Sequence, residues 1–188
     1  MRKLPILLLL TLAGIVLTGF FAACGDDEDN WDDYREWIIE NNTWLEEKNA
    51  ETNPETGEPM YTKIIPSYNP AAYVLMRWFN DQSKTAGNLK PLFTSTVDVK
   101  YIGHLYDGTP FDSSYLQTAY GDSIFRTQLS GVIEGWQIAL QMMHVGDSCE
   151  VIIPFAQGYG SSGSGSILPY SNLRFNIALK DIYKYEIR

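Results

Sequence analysis

Few residues in this chain could make or break bonds, and their spacing rules out most of that chemistry. The two histidines, His104 and His144, stand without Cys-x-x-Cys or His-x-x-His neighbours, so no metal site is specified. Ser113 and Ser114 lack a nucleophile elbow and an evident histidine base, which leaves a hydrolase unsupported. Gly158-Tyr159-Gly160-Ser161-Ser162-Gly163 satisfies G-x-G-x-x-G after a strand-like run. A dinucleotide fingerprint also needs a helix opening at the third glycine, and Ser164-Gly165-Ser166 followed by Pro169 cannot start one. No cofactor is expected.

What remains is a set of aromatic and apolar residues around Gly131–Met143. Trp136, Leu140 and Met143 fall at i, i+4 and i+7, so the spacing predicts a short helix with one apolar face. Gly135 stands where a weak N-cap would be. An indole at the mouth of such a helix is either core or the floor of a pocket.

The elements that must position it are mostly strands. Val97, Val99 and Tyr101 alternate with Thr96, Asp98 and Lys100, which predicts a strand with one buried face. Asp107-Gly108 predicts a hairpin turn. Ile124–Leu129 and Cys149–Ile153 read as further strands, and Leu173, Phe175, Ile177 and Leu179 as the apolar face of a last one. Two earlier runs, Tyr61–Ile65 and Tyr73–Phe79, read as edge strands leading in. The sum is an α+β domain, a twisted antiparallel sheet wrapped around one short helix, with an N-terminal helical extension.

Residues 96–182 resemble the FKBP-type peptidyl-prolyl cis-trans isomerases. The resemblance rests on Val97-Asp98-Val99-Lys100-Tyr101-Ile102-Gly103, Asp107-Gly108-Thr109-Pro110-Phe111-Asp112-Ser113-Ser114 and Val132-Ile133-Glu134-Gly135-Trp136. It continues through Met143-His144-Val145-Gly146-Asp147, Ile153-Pro154, Gly158-Tyr159-Gly160 and Ile167-Leu168-Pro169, in family order. It implies an isomerase acting on proline-containing polypeptides, with macrolides as a further ligand class and no metal. It implies catalytic roles for Phe111, Asp112, Trp136 and Tyr159, and substrate-binding walls at Tyr101, Phe125, Val132, Ile133, Ile167 and Phe175. Plain core packing is the competing account of Val132 and Phe175, and a turn or cap carboxylate that of Asp112. Ser123 stands where many members carry another aromatic wall, and Ile167-Leu168-Pro169 replaces Ile-Pro-Pro. Both departures bear on rate and substrate preference, and a non-catalytic partner-binding lipoprotein stays open beside the enzyme.

The start of the chain sets a compartment. Arg2 and Lys3 precede an apolar run to Phe21, and Phe21-Ala22-Ala23-Cys24 resembles a bacterial lipobox in which Cys24 carries lipid. The expected segments are a signal peptide at 1–23, an acidic tether and amphipathic helix at 24–58, a lead-in at 59–93 and the isomerase-like domain at 94–188. The helix, read over 31–48 with a break considered at Asn41-Asn42-Thr43, buries its face on the domain or on a partner. The expected location is the cell envelope, with the chain lipid-anchored to the periplasmic or surface face of the outer membrane of a Gram-negative bacterium. Thirteen of the 23 acidic residues lie between Asp26 and Glu58, and the formal net charge is −9. That balance argues against a nucleic-acid partner, which needs a basic patch. Cys149, left without an intramolecular partner, is expected to pack as a small apolar side chain.

Overall fold

A computed structural model describes residues 34–185. The signal segment, Cys24, the acidic tether and Trp31 lie outside the described residues. Among the described residues no helix is long and apolar enough to cross a membrane.

Among the described residues seven strands form one antiparallel sheet: β1 (Thr62–Ile64), β2 (Val74–Trp78), β3 (Thr96–Leu105), β4 (Pro110–Ser113), β5 (Phe125–Gln128), β6 (Ser148–Ile153) and β7 (Leu173–Lys184). Their order is β1-β2-β6-β7-β3-β4, with β5 pairing β3 beside β4. Helix α2 (Glu134–Met142) lies in the curve of the sheet, and helix α1 (Arg35–Ala50) precedes the first strand. This is the α+β architecture the periodicities predict.

Two strand readings change in detail. β1 is an edge, but β2 is interior, bonded to β1 on one side and β6 on the other. Its apolar run Val74-Leu75-Met76 explains why. Val74 and Met76 enter the main core with α2, while Leu75 points the other way and joins Ile152 and Tyr61 against Trp44 and Leu45 of α1. A strand covered on both faces loses the polar alternation that marks a surface edge. Asp98, expected on the exposed face of β3, is likewise 8% exposed. Arg126 on β5 pairs with it in a fork, Nε to Oδ1 at 2.6 Å and Nη2 to Oδ2 at 2.7 Å. The Tyr183 ring covers that guanidinium from 3.5 Å.

Helix α1 runs unbroken through Asn41-Asn42-Thr43. Asn41 is fully buried, and its Nδ2 donates to the Trp37 carbonyl one turn back at 2.9 Å, so the residue that favours a break is satisfied inside the helix. The helix docks on the domain of its own chain. Ile38 is 1% exposed, and Trp37 meets the Tyr106 ring edge-on at 5.1 Å. Cys149 packs as expected, fully buried with Sγ 3.7 Å from the Met143 sulfur, and burial pushes its thiol up to about 12.

Helix α2 begins two residues earlier than its indole suggests. Ile133 is the N-cap and Gly135 sits within the first turn, so Gly135 is not the cap. Its role is steric. A Cβ on Gly135 would stand 2.3 Å from Cγ2 of Ile153, so the helix crosses β6 only because that atom is absent. Gly135→Ala should cost about 1–3 kcal/mol of stability by urea unfolding, the range for overpacking a core. Adding Ile153→Ala should make the double variant lose less than the sum of the single losses. Additive losses would show that the helix shifts freely instead.

Candidate functional site

Strand β3 carries Tyr101 into the curve of the sheet, 4% exposed, and the Asp107-Gly108 turn brings β4 back alongside it. The segment Phe111–Ser114 then grips Tyr101 at both ends. The Tyr101 hydroxyl donates to Asp112 Oδ2 at 2.5 Å, and the Tyr101 backbone N–H donates to Ser114 Oγ at 2.9 Å. Asp112 Oδ1 accepts the Ser113 N–H at 2.7 Å. The carboxylate is thereby fixed by two donors and aimed along the tyrosine ring.

Trp136, at the start of α2, stands against these strands. Its ring lies 4.9 Å from Tyr101 at 85° and 5.3 Å from Phe175 at 87°. Phe125 closes a further side, 5.5 Å from Tyr101 and 6.3 Å from Trp136. Edge-to-face pairs at such distances contribute about 0.5–1.5 kcal/mol each beyond the area they bury. These rings leave a cavity of about 220 Å³. Trp136 is 4% exposed and belongs to the core, and it also lines the cavity. Its Nε1–H has no partner among the described residues.

Of the ten expected site residues, eight line this cavity: Tyr101, Asp112, Phe125, Val132, Ile133, Trp136, Tyr159 and Phe175. Phe111 does not. It meets Phe175 edge-on at 5.4 Å, where the bare Gly103 makes room for both rings; a Cβ there would come within 2.7 Å of each. Ile167 is also off the lining, 7% exposed and packed in the core, while Leu168 beside it is 41% exposed. Gly131 is the lining residue that sequence reasoning missed; its position in the tight turn before Val132 was the available signal. Gln137 was missed too. Its Nε2 donates to the Val132 carbonyl at 2.7 Å and fixes the wall that Val132 and Ile133 form.

Ser123 contributes no wall. It holds a left-handed φ of 58° and is 8% exposed, and its hydroxyl donates to the Tyr115 carbonyl at 3.4 Å. The Gly158–Gly163 run is turn without helix, as its serines and Pro169 demand. Among the described residues, no group of three or more His, Cys, Asp or Glu side chains is placed to hold a metal ion.

The cavity is therefore walled mostly by aromatic and aliphatic residues, with a fixed carboxylate and the Tyr159 hydroxyl among them. The Tyr159 phenol is raised above its ordinary value, first by burial and then by the Asp112 charge. Burial and then the Asp112 hydrogen bond raise Tyr101 in the same way. Both therefore remain neutral donors at ordinary pH.

The sequence profile described as "FKBP-type peptidyl-prolyl cis-trans isomerase" matches residues 87–180. An Escherichia coli protein named FKBP-type 22 kDa peptidyl-prolyl cis-trans isomerase is 44% identical over 93 residues, covering 49% of this chain and 43% of that one. The outer membrane protein MIP of Legionella longbeachae is 37% identical over 139 residues, covering 73% of this chain and 57% of its own. A crystal structure of a peptidyl-prolyl cis-trans isomerase from Pseudomonas syringae pv. tomato superposes with a TM-score of 0.62 at 27% identity, over 79% of this chain and 95% of that one. The chain spans about half the length of the curated relatives it matches.

Because the folded state holds the Tyr101 and Tyr159 protons more tightly than the unfolded chain, their contribution is complete below the ordinary phenol value of 10.0 and is lost as pH rises above it. Tyr61, buried and bonded to Glu150, shifts the same way. Urea stability should fall as pH climbs past that value, and Tyr101→Phe should flatten the fall. An alkaline decline unchanged in Tyr101→Phe would place the titrating protons elsewhere.

Proposed function

The chain belongs to the FKBP-type peptidyl-prolyl cis-trans isomerase family, and on that premise we propose that its aromatic cavity catalyses rotation about Xaa–Pro bonds in exported polypeptides. The observation that carries the reading is the Tyr101–Trp136–Phe175 ring set closing a cavity with Asp112 fixed at its polar side.

The reaction asks for no nucleophile. Rotation about a peptide bond faces a barrier of roughly 18–20 kcal/mol because the twisted amide loses its resonance. For Xaa–Pro the uncatalysed step takes tens to hundreds of seconds, slow enough to limit folding. A twisted amide is less dipolar than a planar one, so a dry aromatic cavity favours it over the ground state, which is catalysis by differential binding. The proline ring would sit over Trp136, with Phe125, Val132, Ile133 and Phe175 around it. The Tyr159 hydroxyl would donate to a carbonyl of the bound peptide, and Asp112 would hold Tyr101 upright. Phe111 would act by supporting Phe175, and Ile167 by anchoring the loop beside Tyr159. Macrolide ligands would occupy the same cavity.

The setting we propose is the cell envelope of a Gram-negative bacterium, with the chain anchored to the outer membrane by lipid on Cys24 after removal of 1–23. Support comes from Phe21-Ala22-Ala23-Cys24 and from a relative whose name places that protein in the outer membrane. A role in folding exported clients follows from that setting.

In a protease-coupled proline isomerisation assay, the full-length protein in detergent should exceed the buffer rate. Trp136→Leu, Phe111→Ala and Asp112→Ala should each lower kcat/KM about tenfold, on the order of 1.4 kcal/mol. Wild-type rates equal to buffer, with peptide still bound, would favour a non-catalytic binding module. In cells, labelled palmitate should enter the wild type and not Cys24→Ser. Equal labelling of both would remove the anchor from the proposal.

A further inference from the structure

Tyr159 is placed in the cavity by its loop alone. The residue is 36% exposed, and what acts on its hydroxyl is burial and the Asp112 charge, with no hydrogen bond to it among the described residues. The loop runs from Pro154, after β6, to Asn172, before β7. Its fold is kept by the Phe155 carbonyl, which accepts both the Gly158 and Gly160 N–H groups at 2.9 Å, and by the Tyr170 N–H donating to the Gly160 carbonyl at 3.0 Å.

Asn172 fastens the two ends of this loop together. It sits at the end of the loop, and its Oδ1 accepts the Phe155 N–H at the beginning, at 2.8 Å. What fastens Asn172 is helix α1. The Asn172 N–H donates to Asn41 Oδ1 at 2.8 Å, and Asn172 Nδ2 donates to the Asn41 carbonyl at 2.7 Å. Asn41 Nδ2 is spent on the Trp37 carbonyl, so every polar atom of both amides is matched. Both residues are fully buried. Two buried amides that satisfy each other in this way have one low-energy arrangement, because any slip strands donors away from water.

We propose that Asn41 is a positioning residue for the cavity: through Asn172 and Phe155, helix α1 holds the loop that presents Tyr159. The extension before the sheet thus belongs to the working site, although it lies on the opposite side of the sheet from Trp136. This rests on the isomerase reading for its effect on turnover, but not for its effect on the loop. Loss of the Asn41 contact frees the loop, and a bound peptide must then order it again, so the cost falls on peptide binding.

The test compares Asn41→Leu with Leu45→Ala in the full-length protein in detergent. Leu45 docks α1 on Tyr61, Leu75 and Ile152 and does not bond the loop. In Asn41→Leu the amides of Gly158, Gly160 and Tyr170 should exchange with deuterium about tenfold faster than in the wild type. The KM for an Xaa–Pro peptide should rise about tenfold with kcat little changed. Leu45→Ala should leave both at wild-type values while lowering the urea midpoint. Loop exchange unchanged in Asn41→Leu, or accelerated equally in Leu45→Ala, overturns the proposal. A wild type without isomerase activity would sink the functional reading, while loop exchange would still decide whether Asn41 holds the loop.

Discussion

Helix α2 can lie as deep in the sheet as it does because residue 135 has no side chain. At Gly135 the helix backbone meets Ile153 of β6 at a distance that leaves no room for a methyl group. That contact sets the height of the whole helix, and with it the height of the indole one residue on. Lowered to this level, Trp136 meets Tyr101 and Phe175 edge-on, and the floor of the cavity is the by-product. Gly103 does the same on the sheet, admitting Phe111 and Phe175 side by side. Two absent side chains thus fix where four rings stand.

The polar side obeys a different constraint. A carboxylate beside buried rings must be held or it draws in water. Asp112 is held by the Ser113 N–H and the Tyr101 hydroxyl, and Tyr101 is held in return at its backbone by Ser114. The Phe-Asp-Ser-Ser segment is therefore one device, in which each polar group satisfies its neighbour and the aromatic one faces the core. On the far side of the sheet, α1 covers Leu75 and Ile152. Without that cover, two large aliphatic side chains would face water.

Much of this was legible because it is local or periodic. Alternation at Val97, Val99 and Tyr101, the Asp107-Gly108 turn and the i, i+4, i+7 face of Trp136 predict β3, its hairpin and α2. What escaped reading depends on distant partners. Asn41 reads as a helix breaker until its partner Asn172, 131 residues away, is seen to absorb it. Gly135 reads as a cap until Ile153 is placed beside it. β2 reads as an edge because nothing local reveals that β6 and α1 will cover it. Phe111 and Ile167 carry the right side chains for a wall, yet only their packing against distant parts of the core decides that they do not line the cavity.

The margins of the sheet are cut short. β1 is three residues long, and β4 and β5, which share the outer side of β3, are four each, with β4 opening on Pro110, which has no N–H to offer. A chain proposed to meet unfolded polypeptides would otherwise be at risk from them. Extended segments add readily to any long free strand edge, and a chain captured that way is held by its backbone whatever its sequence. With its borders this brief, the molecule offers a passing chain little to zip onto, so selection among segments is left to the fit of side chains in a hollow.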